Sequence, residues 1–234
     1  MMARLCAVVA VLAALAALLL APAPALAAPF AVQLGDTRIA LDTPPGFSDA
    51  AATGSPSVLE LAESLTSASN RILLFGITDA DFRRFSVGDT PEMGRYLIAV
   101  TPRALERYYV SPKDFERYVA DVTRDLGKPT QDMDYRKLLD AAPTGRPVVL
   151  AELRREPALL SFMQGARFPG RESRFIGVPD DPAQYLLSTT TLLLLRDRAL
   201  SLSIYTGYAS PQDAEWLRAT TQRWVEELQR LNRF

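Results

Sequence analysis

The stretch from Tyr185 to Tyr205 constrains the fold more than any other part of this sequence. It is the most apolar region that follows the N-terminal leader, and the charged triplet Arg196-Asp197-Arg198 divides it into two halves. A membrane-spanning helix needs about 18 or more consecutive apolar residues, and the triplet leaves no such run in this stretch. Two apolar segments on either side of a short charged break are typical of a long β-hairpin with a charged tip. The sequence therefore predicts a sheet that contains this hairpin.

The first 27 residues predict a cleaved secretory signal peptide. Arg4 gives a short positive start, Leu5 to Leu20 is an unbroken apolar run, and Ala25-Leu26-Ala27 fits the small-x-small cleavage pattern. We expect a mature chain that begins near Ala28, has no stable membrane span, and works in the periplasm or outside the cell. Cys6 lies near the start of the apolar run rather than just after it, which argues against a lipoprotein anchor.

Two long amphipathic helices are indicated by the same pair of start signals. A serine supplies the capping hydroxyl, and the proline after it occupies the first helical position, where no amide proton is needed. The pair Ser111-Pro112 precedes an apolar face made of Phe115, Val119, Val122 and Leu126. The pair Ser210-Pro211 precedes a face made of Leu217, Thr221, Trp224, Leu228 and Leu231. Both sets recur at helical spacing.

The rest of the chain predicts strands joined by short helices and loops. Apolar residues alternate on both sides of Gly35-Asp36, which predicts an opening hairpin over 30–41. The small residues from 48 to 57 predict a surface loop, and a short helix follows over 58–67. Further strands are predicted over 71–77, 95–100, 148–153 and 159–163. Because strands and helices do not alternate strictly, we predict an α+β fold, a mostly antiparallel sheet flanked by amphipathic helices in one domain over 28–234.

The opening hairpin and the C-terminal block together carry a family resemblance. The hairpin leads into Pro44-Pro45-Gly46-Phe47, and the block from Leu192 to Tyr205 is followed by the helix that bears Trp224. In this the chain resembles the PsbP-like α/β/α sandwich. The resemblance implies a compact sheet between helices and an accessory or binding role, and it assigns no catalytic residue. The metal-site histidines of some members of that group have no counterpart in this sequence.

The composition excludes most familiar catalytic machinery. The chain has no histidine, and its one cysteine, Cys6, belongs to the predicted signal peptide. Serine, threonine and cysteine nucleophiles normally need an adjacent base, most often histidine, and zinc sites are built mainly from cysteine and histidine. A net charge of −1 without long runs of either sign predicts no binding of nucleic acid. We expect no cofactor and no bound metal.

Carboxylates are the remaining groups with which this chain could catalyse a reaction. Three acidic clusters, Asp79-Ala80-Asp81, Asp132-Met133-Asp134 and Asp180-Asp181, lie at turn or helix-start signals and lack the calcium-loop pattern, so helix capping and loop solvation explain them. Two carboxylates placed across a substrate can nevertheless hydrolyse a glycosidic bond without histidine or metal. A hydrolase of envelope polymers is therefore an alternative function, and its catalytic residues stay unknown.

Aromatic and arginine residues indicate a binding surface. Tyr108 and Tyr109 directly follow Arg107, and Trp216 lies slightly off the apolar face of the C-terminal helix. Tyrosine, tryptophan and arginine are enriched at interface hot spots, although packing at strand and helix edges gives the same pattern. These four residues are the candidate partner-binding residues. The function we predict first is an exported, non-catalytic binding or accessory protein for an unknown envelope protein or small ligand, and an assembly factor for an envelope complex is a further alternative.

Overall fold

A computed structural model describes residues 29–127, 129–130, 134–170 and 184–233 of the chain, and the predicted signal peptide lies outside these ranges. The strands are β1 (Phe30–Leu34), β2 (Thr37–Leu41), β3 (Phe47–Asp49), β4 (Asn70–Thr78), β5 (Arg95–Pro102), β6 (Val148–Glu156), β7 (Leu159–Phe168), β8 (Gln184–Leu195) and β9 (Arg198–Gly207). The α-helices are α1 (Pro56–Ser64), α2 (Asp79–Ser86), α3 (Pro112–Leu126), α4 (Tyr135–Ala141) and α5 (Pro211–Leu231). None of these helices is both long and apolar enough to cross a bilayer.

Seven strands form one antiparallel sheet in the order β3-β4-β5-β9-β8-β7-β6, while β1 and β2 pair separately as a hairpin. Neighbouring strands of the sheet are also consecutive in the chain, except where β5 pairs with β9. In that pairing Arg95 lies opposite Thr206 and Val100 lies opposite Ser201. This seam joins a block of β3, β4 and β5 to a block of β6 to β9. The predicted α+β class, with an antiparallel sheet flanked by amphipathic helices, is confirmed.

The predicted hairpin over 185–205 is confirmed as β8 and β9. Its turn consists of Arg196 and Asp197, whose φ angles of 49° and 60° are those that a two-residue type I′ turn requires. Arg198 is already the first residue of β9, pairs with Leu195 and is 1% exposed. The prediction of a charged tip is therefore wrong at Arg198, because the tight turn returns the chain one residue earlier than the charge pattern suggests.

One face of the sheet packs against α5, α4 and the β1–β2 hairpin. Leu217, Trp224 and Leu228 of α5 are at most 1% exposed, and all three belong to the largest apolar cluster. The indole nitrogen of Trp224 donates to the carbonyl oxygen of Asp42 at 2.7 Å, which ties α5 to the end of β2. The amide side chain of Asn232 donates to the carbonyl of residue 40 and accepts from the amide of the same residue. These hydrogen bonds hold the opening hairpin against α5 and the sheet.

Two buried hydroxyl groups meet beneath α5. The Oγ1 atoms of Thr189 on β8 and Thr221 on α5 are 2.6 Å apart, and neither residue is more than 4% exposed. Thr221 donates its proton to the carbonyl oxygen of Leu217 at 2.8 Å. Since a hydroxyl group has only one proton, Thr189 is the donor between the two threonines.

The opposite face of the sheet is covered by two separate groups of helices. Val58 of α1 packs in one apolar cluster with Phe75 of β4, and partly buried residues of α2 pack against the same cluster. Phe115 of α3 packs in a second cluster with Phe162 of β7 and neighbouring residues of β8. The two predicted long helices, α3 and α5, therefore lie on opposite faces of the sheet.

Some segments differ from their predicted structure. The predicted loop over 48–57 contains the end of β3, a short 3-10 helix at Ala51–Thr53 and the start of α1, and Ala50 is fully buried. The carboxylate of Asp49 accepts the backbone amides of residues 51 and 75, both at 3.1 Å, which holds this edge in place. Neither α2 nor α4 was expected, because the first is rich in charge and both are only two turns long.

Candidate functional site

The structure brings three of the four candidate partner-binding residues together. Arg107, Tyr108 and Tyr109 are exposed on the segment that joins β5 to α3, at the end of the sheet where the β1–β2 and β8–β9 turns lie. Tyr108 is 67% exposed and Tyr109 is 62% exposed. The three residues are consecutive in the sequence, which is why they could be predicted as a group, and the fold leaves all three at the surface.

Trp216 lies at the other end of the sheet. Its ring lies 4.0 Å from the guanidinium carbon of Arg95 and 6.2 Å from the ring of Phe47, and it is half-buried. Arg95 pairs with Thr206, which is at the far end of β9 from Arg198. Those two positions are eight residues apart along the strand, a distance of about 26 Å. Trp216 therefore does not share a surface with the two tyrosines.

We call the exposed residues around the two turns the turn-end surface. It consists of Asp36, Arg38, Arg103, Arg107, Tyr108, Tyr109, Arg196 and Asp197, all of them exposed. Contacts between segments place these residues at the same end: Arg196 donates to the carbonyl of Arg38 at 3.0 Å, and the amide of residue 110 donates to the carbonyl of Asp197 at 2.9 Å. Arginines outnumber aspartates on this surface by four to two.

Arg198 lies directly beneath this surface. Its Nη2 contacts the carboxylate of Asp36 at 2.5 Å, and its Nε donates to the hydroxyl of Thr37 at 3.1 Å. The ring of Tyr109 covers the guanidinium group, with 4.2 Å between the guanidinium carbon and the ring centroid. Nη1 is buried and has no hydrogen-bond partner among the described residues. Gly35 has a φ of +59°, and a Cβ there would lie 3.0 Å from Nη2, so the turn needs glycine for both reasons.

The hydroxyl of Tyr109 donates to the carboxylate of Asp36, which closes the cluster from outside. This hydrogen bond is the main reason that the pKa of Asp36 is lowered, and the charge of Arg198 adds to the effect. The same bond is the main reason that the pKa of Tyr109 is raised. At neutral pH the carboxylate is thus ionised and the phenol keeps its proton, so acceptor and donor are both in the form that this hydrogen bond needs.

A cleft of about 1280 Å³ lies at the opposite end of the sheet, near Arg95. Arg84 pairs with Glu92 at 2.5 Å, and Arg95 pairs with Asp213 at 3.2 Å. The third arginine that lines the cleft is Arg136. Its guanidinium carbon lies 3.7 Å from the ring centroid of Tyr185, and the guanidinium group also contacts a carboxylate of α4. Each arginine that lines the cleft is therefore already engaged within the described chain.

The carboxylates that line the cleft are also engaged. Asp81 accepts the hydroxyl of Thr78 at 2.9 Å and the amide of Glu92 at 2.8 Å. Burial tends to raise the pKa of Asp213, but hydrogen bonds from the amides of residues 209 and 210, from the Ser210 hydroxyl and from Arg95 lower it overall. A glycosidase needs a carboxylic acid whose pKa is raised, and Asp213 shows the opposite shift. The geometry of the cleft therefore gives the hydrolase alternative no support.

The first acidic cluster lies in the first turn of α2, and the residue that caps this helix is Thr78. The hydroxyl of Thr78 accepts the amide of Asp81 at 3.1 Å at the start of α2, and Asp79 accepts the hydroxyl of Ser48 at 2.7 Å. Asp134 caps α4 in the same way, by accepting the amide of Lys137. The positions 132–133 and 180–181 lie outside the described residues. Within the described ranges no three acidic, histidine or cysteine residues group closely enough to hold a metal ion.

Fold and surface together define an α+β protein with a basic, tyrosine-bearing end. The sequence matches no model of a protein family, and it matches no curated protein. Two solved structures match. The Ran-binding protein Mog1p of Saccharomyces cerevisiae has a TM-score of 0.37 and 14% identity over 88% of this chain and 94% of that chain. A mutant of the protein Mog1 has a TM-score of 0.38 and 14% identity over 87% and 94%. With TM-scores this low, we draw no functional conclusion from the likeness.

Proposed function

We propose that this chain is an exported, non-catalytic accessory protein that binds an acidic partner protein of the cell envelope through its turn-end surface. The observation that carries the proposal is the exposed run Arg107-Tyr108-Tyr109. The Tyr108 side chain leaves two-thirds of its surface in water. Large aromatic side chains beside arginines are typical of interface hot spots, because they bury much apolar area and keep a polar end.

The charge of the surface supports an acidic partner. Arginines exceed aspartates there, and the buried cation of Arg198 adds to the positive potential from below. Arg71 and Glu106, which lie beside this surface, pair with each other and leave the balance unchanged. The whole chain carries a net charge of −1, so this end differs in sign from the average. An opposite charge on the partner steers the encounter and fixes its orientation.

The N-terminal sequence supports the exported location, and the resemblance to the PsbP-like sandwich supports the accessory role. If the signal peptide is removed as proposed, protein purified from whole cells begins at Ala28. N-terminal sequencing and fractionation of the envelope test this part separately. A mature N-terminus at Met1, with the protein in the cytoplasm, would contradict the proposal.

The binding surface is tested by truncating Tyr108 and Arg107 to alanine. The full-length gene is expressed, the purified protein is immobilised, and the envelope proteins that it retains are quantified. Truncation of a hot-spot residue costs about 2 kcal/mol or more, so affinity for the partner falls by about 30-fold. The matched control is Tyr118→Ala, which removes a tyrosine that is 41% exposed on α3 and does not belong to the turn-end surface.

The proposal is supported if one retained protein is lost with Tyr108→Ala and with Arg107→Ala but kept with Tyr118→Ala. Binding of the purified partner should also weaken as salt rises, because exposed charges are screened. It is overturned if no retained protein depends on Tyr108, or if all three variants behave alike while their thermal midpoints equal that of the wild type.

A further inference from the structure

A second concave site lies between α5 and the strands β6 and β7 at the edge of the sheet. It is a half-enclosed cavity of about 250 Å³. Its apolar walls are Leu153, Leu159 and Val225, and its polar groups include Arg218 and Gln222 of α5. It shares no residue with the turn-end surface or with the cleft near Arg95.

Among the described residues, Arg218 is the charged group of this cavity that has no counter-charge. Its Nη2 donates to the hydroxyl of Tyr135, a residue that is 5% exposed. Its Nε is buried and has no hydrogen-bond partner in the described part of the chain. No carboxylate of the described residues lies within ion-pair distance of the group, since the pairs found there do not include Arg218.

Glu152, which lines the cavity, and Glu156, on the same strand, both pair with arginines. Glu152 pairs with Arg155 at 2.6 Å, and this bond is the main reason that the pKa of Glu152 is lowered. Glu156 pairs with Arg154, which also lines the cavity, at 2.7 Å. The guanidinium also lies over the Tyr135 ring, with 5.8 Å between its carbon and the ring centroid, but both contacts are with a neutral side chain. A half-buried guanidinium with one unsatisfied N–H and no anion is unfavourable, because it loses hydration without gaining a counter-charge. The arrangement is that of a site that gains stability when an anion enters.

We infer that this cavity binds a small amphipathic carboxylate, with the carboxylate on Arg218 and the hydrocarbon against the apolar walls. A guanidinium group holds a carboxylate through paired, charge-assisted hydrogen bonds. A cavity of about 250 Å³ has room for a short hydrocarbon chain that ends in one carboxylate, such as a six-carbon monocarboxylate. The site is independent of the partner surface, so either function can fail without the other.

The test is a titration of the isotope-labelled full protein with hexanoate, followed by amide chemical shifts. Saturable shifts should be confined to α5 around Arg218 and Gln222 and to the facing parts of β6 and β7. Removing the charge with Arg218→Gln should weaken hexanoate binding by about tenfold or more, as expected for a lost charge-assisted hydrogen bond. The matched control is Arg223→Gln, which removes an exposed arginine of the same helix and should leave binding unchanged.

Two further measurements keep the inference open to refutation. Hexylamine has the same hydrocarbon and the opposite charge, so it should produce no saturable shift. Gln222→Trp should close the mouth of the cavity without altering the core, and it serves if Arg218→Gln does not fold. The inference is overturned if hexylamine binds as well as hexanoate, if Arg218→Gln binds like the wild type, or if the shifts appear at another surface.

Discussion

The buried threonine pair gives a prediction in which two similar substitutions have unequal costs. Thr221→Val removes the acceptor of the Thr189 proton, and that hydroxyl is 1% exposed, so its donor stays unsatisfied. A buried donor without a partner costs about 1–3 kcal/mol. Thr189→Val removes the donor itself, while Thr221 keeps its bond to the carbonyl of Leu217. We expect that variant to lose only about 0.5–1 kcal/mol.

The double variant Thr189→Val with Thr221→Val separates this explanation from a general effect of the substitution. With both hydroxyls gone no donor is left unpaired, so the double variant should be more stable than Thr221→Val alone. Urea unfolding followed by tryptophan fluorescence measures the three free energies. Thr123→Val is the control, because the Thr123 hydroxyl also donates to the carbonyl four residues earlier but lies on the half-buried face of α3. It should change stability by no more than about 0.5 kcal/mol.

The assignment of Thr189 as donor would be refuted by equal costs of the two single variants. It would also be refuted by a double variant whose loss equals the sum of the single losses. At about 2–4 °C per kcal/mol for a domain of this size, Thr221→Val should lower the thermal midpoint by several degrees.

Three other perturbations have expected outcomes. Gly76→Ala would place a Cβ 2.6 Å from a methyl carbon of Leu97, so overpacking should cost about 1–3 kcal/mol in urea unfolding, and an unchanged midpoint would contradict the packing described. Trp224→Phe removes the donor to the carbonyl of Asp42 and should cost about 1 kcal/mol or more, whereas a neutral change would show that this bond does not hold α5. Burial raises the pKa of Tyr96 from 10.0 to about 12, so the folded chain keeps a proton that the unfolded chain releases, and stability should fall as pH rises from 10 towards 12. Tyr96→Phe should reduce that fall, and an identical pH dependence would count against the burial.

Local signals account for the parts of the fold that the sequence predicts. The Ser-Pro pairs before α3 and α5 are complete start signals within a few residues, and both helices begin where predicted. The β8–β9 hairpin follows from apolar density and a two-residue turn. The edge strand β3 is only three residues long and lies among proline, glycine and serine, so no local signal separates it from a loop.

The parts of the site that were missed depend on contacts between distant segments. Arg198 looks like a solvated turn residue, and its burial follows from a contact with Asp36, which is 162 residues away in the sequence. Tyr108 and Tyr109 could be grouped because they are adjacent in the chain. Trp216 does not belong with them, and the sequence alone does not show at which end of the sheet α5 starts. The sequence does not indicate that Arg218 lacks a counter-charge, because the acids that lie near an arginine are determined by the fold.

The pairing of β5 with β9 can form only late in the synthesis of the chain. Arg95 and Thr206, which lie opposite each other in this pairing, are 111 residues apart. At about 5–20 residues per second, the ribosome needs about 5–20 seconds to make the strand that β5 awaits. During that interval the edge of β5 has no partner, and the core beneath α5 is open because α5 has not been made. The order of the strands thus leaves the β5–β9 seam and the core beneath α5 incomplete until nearly all of the chain has been made.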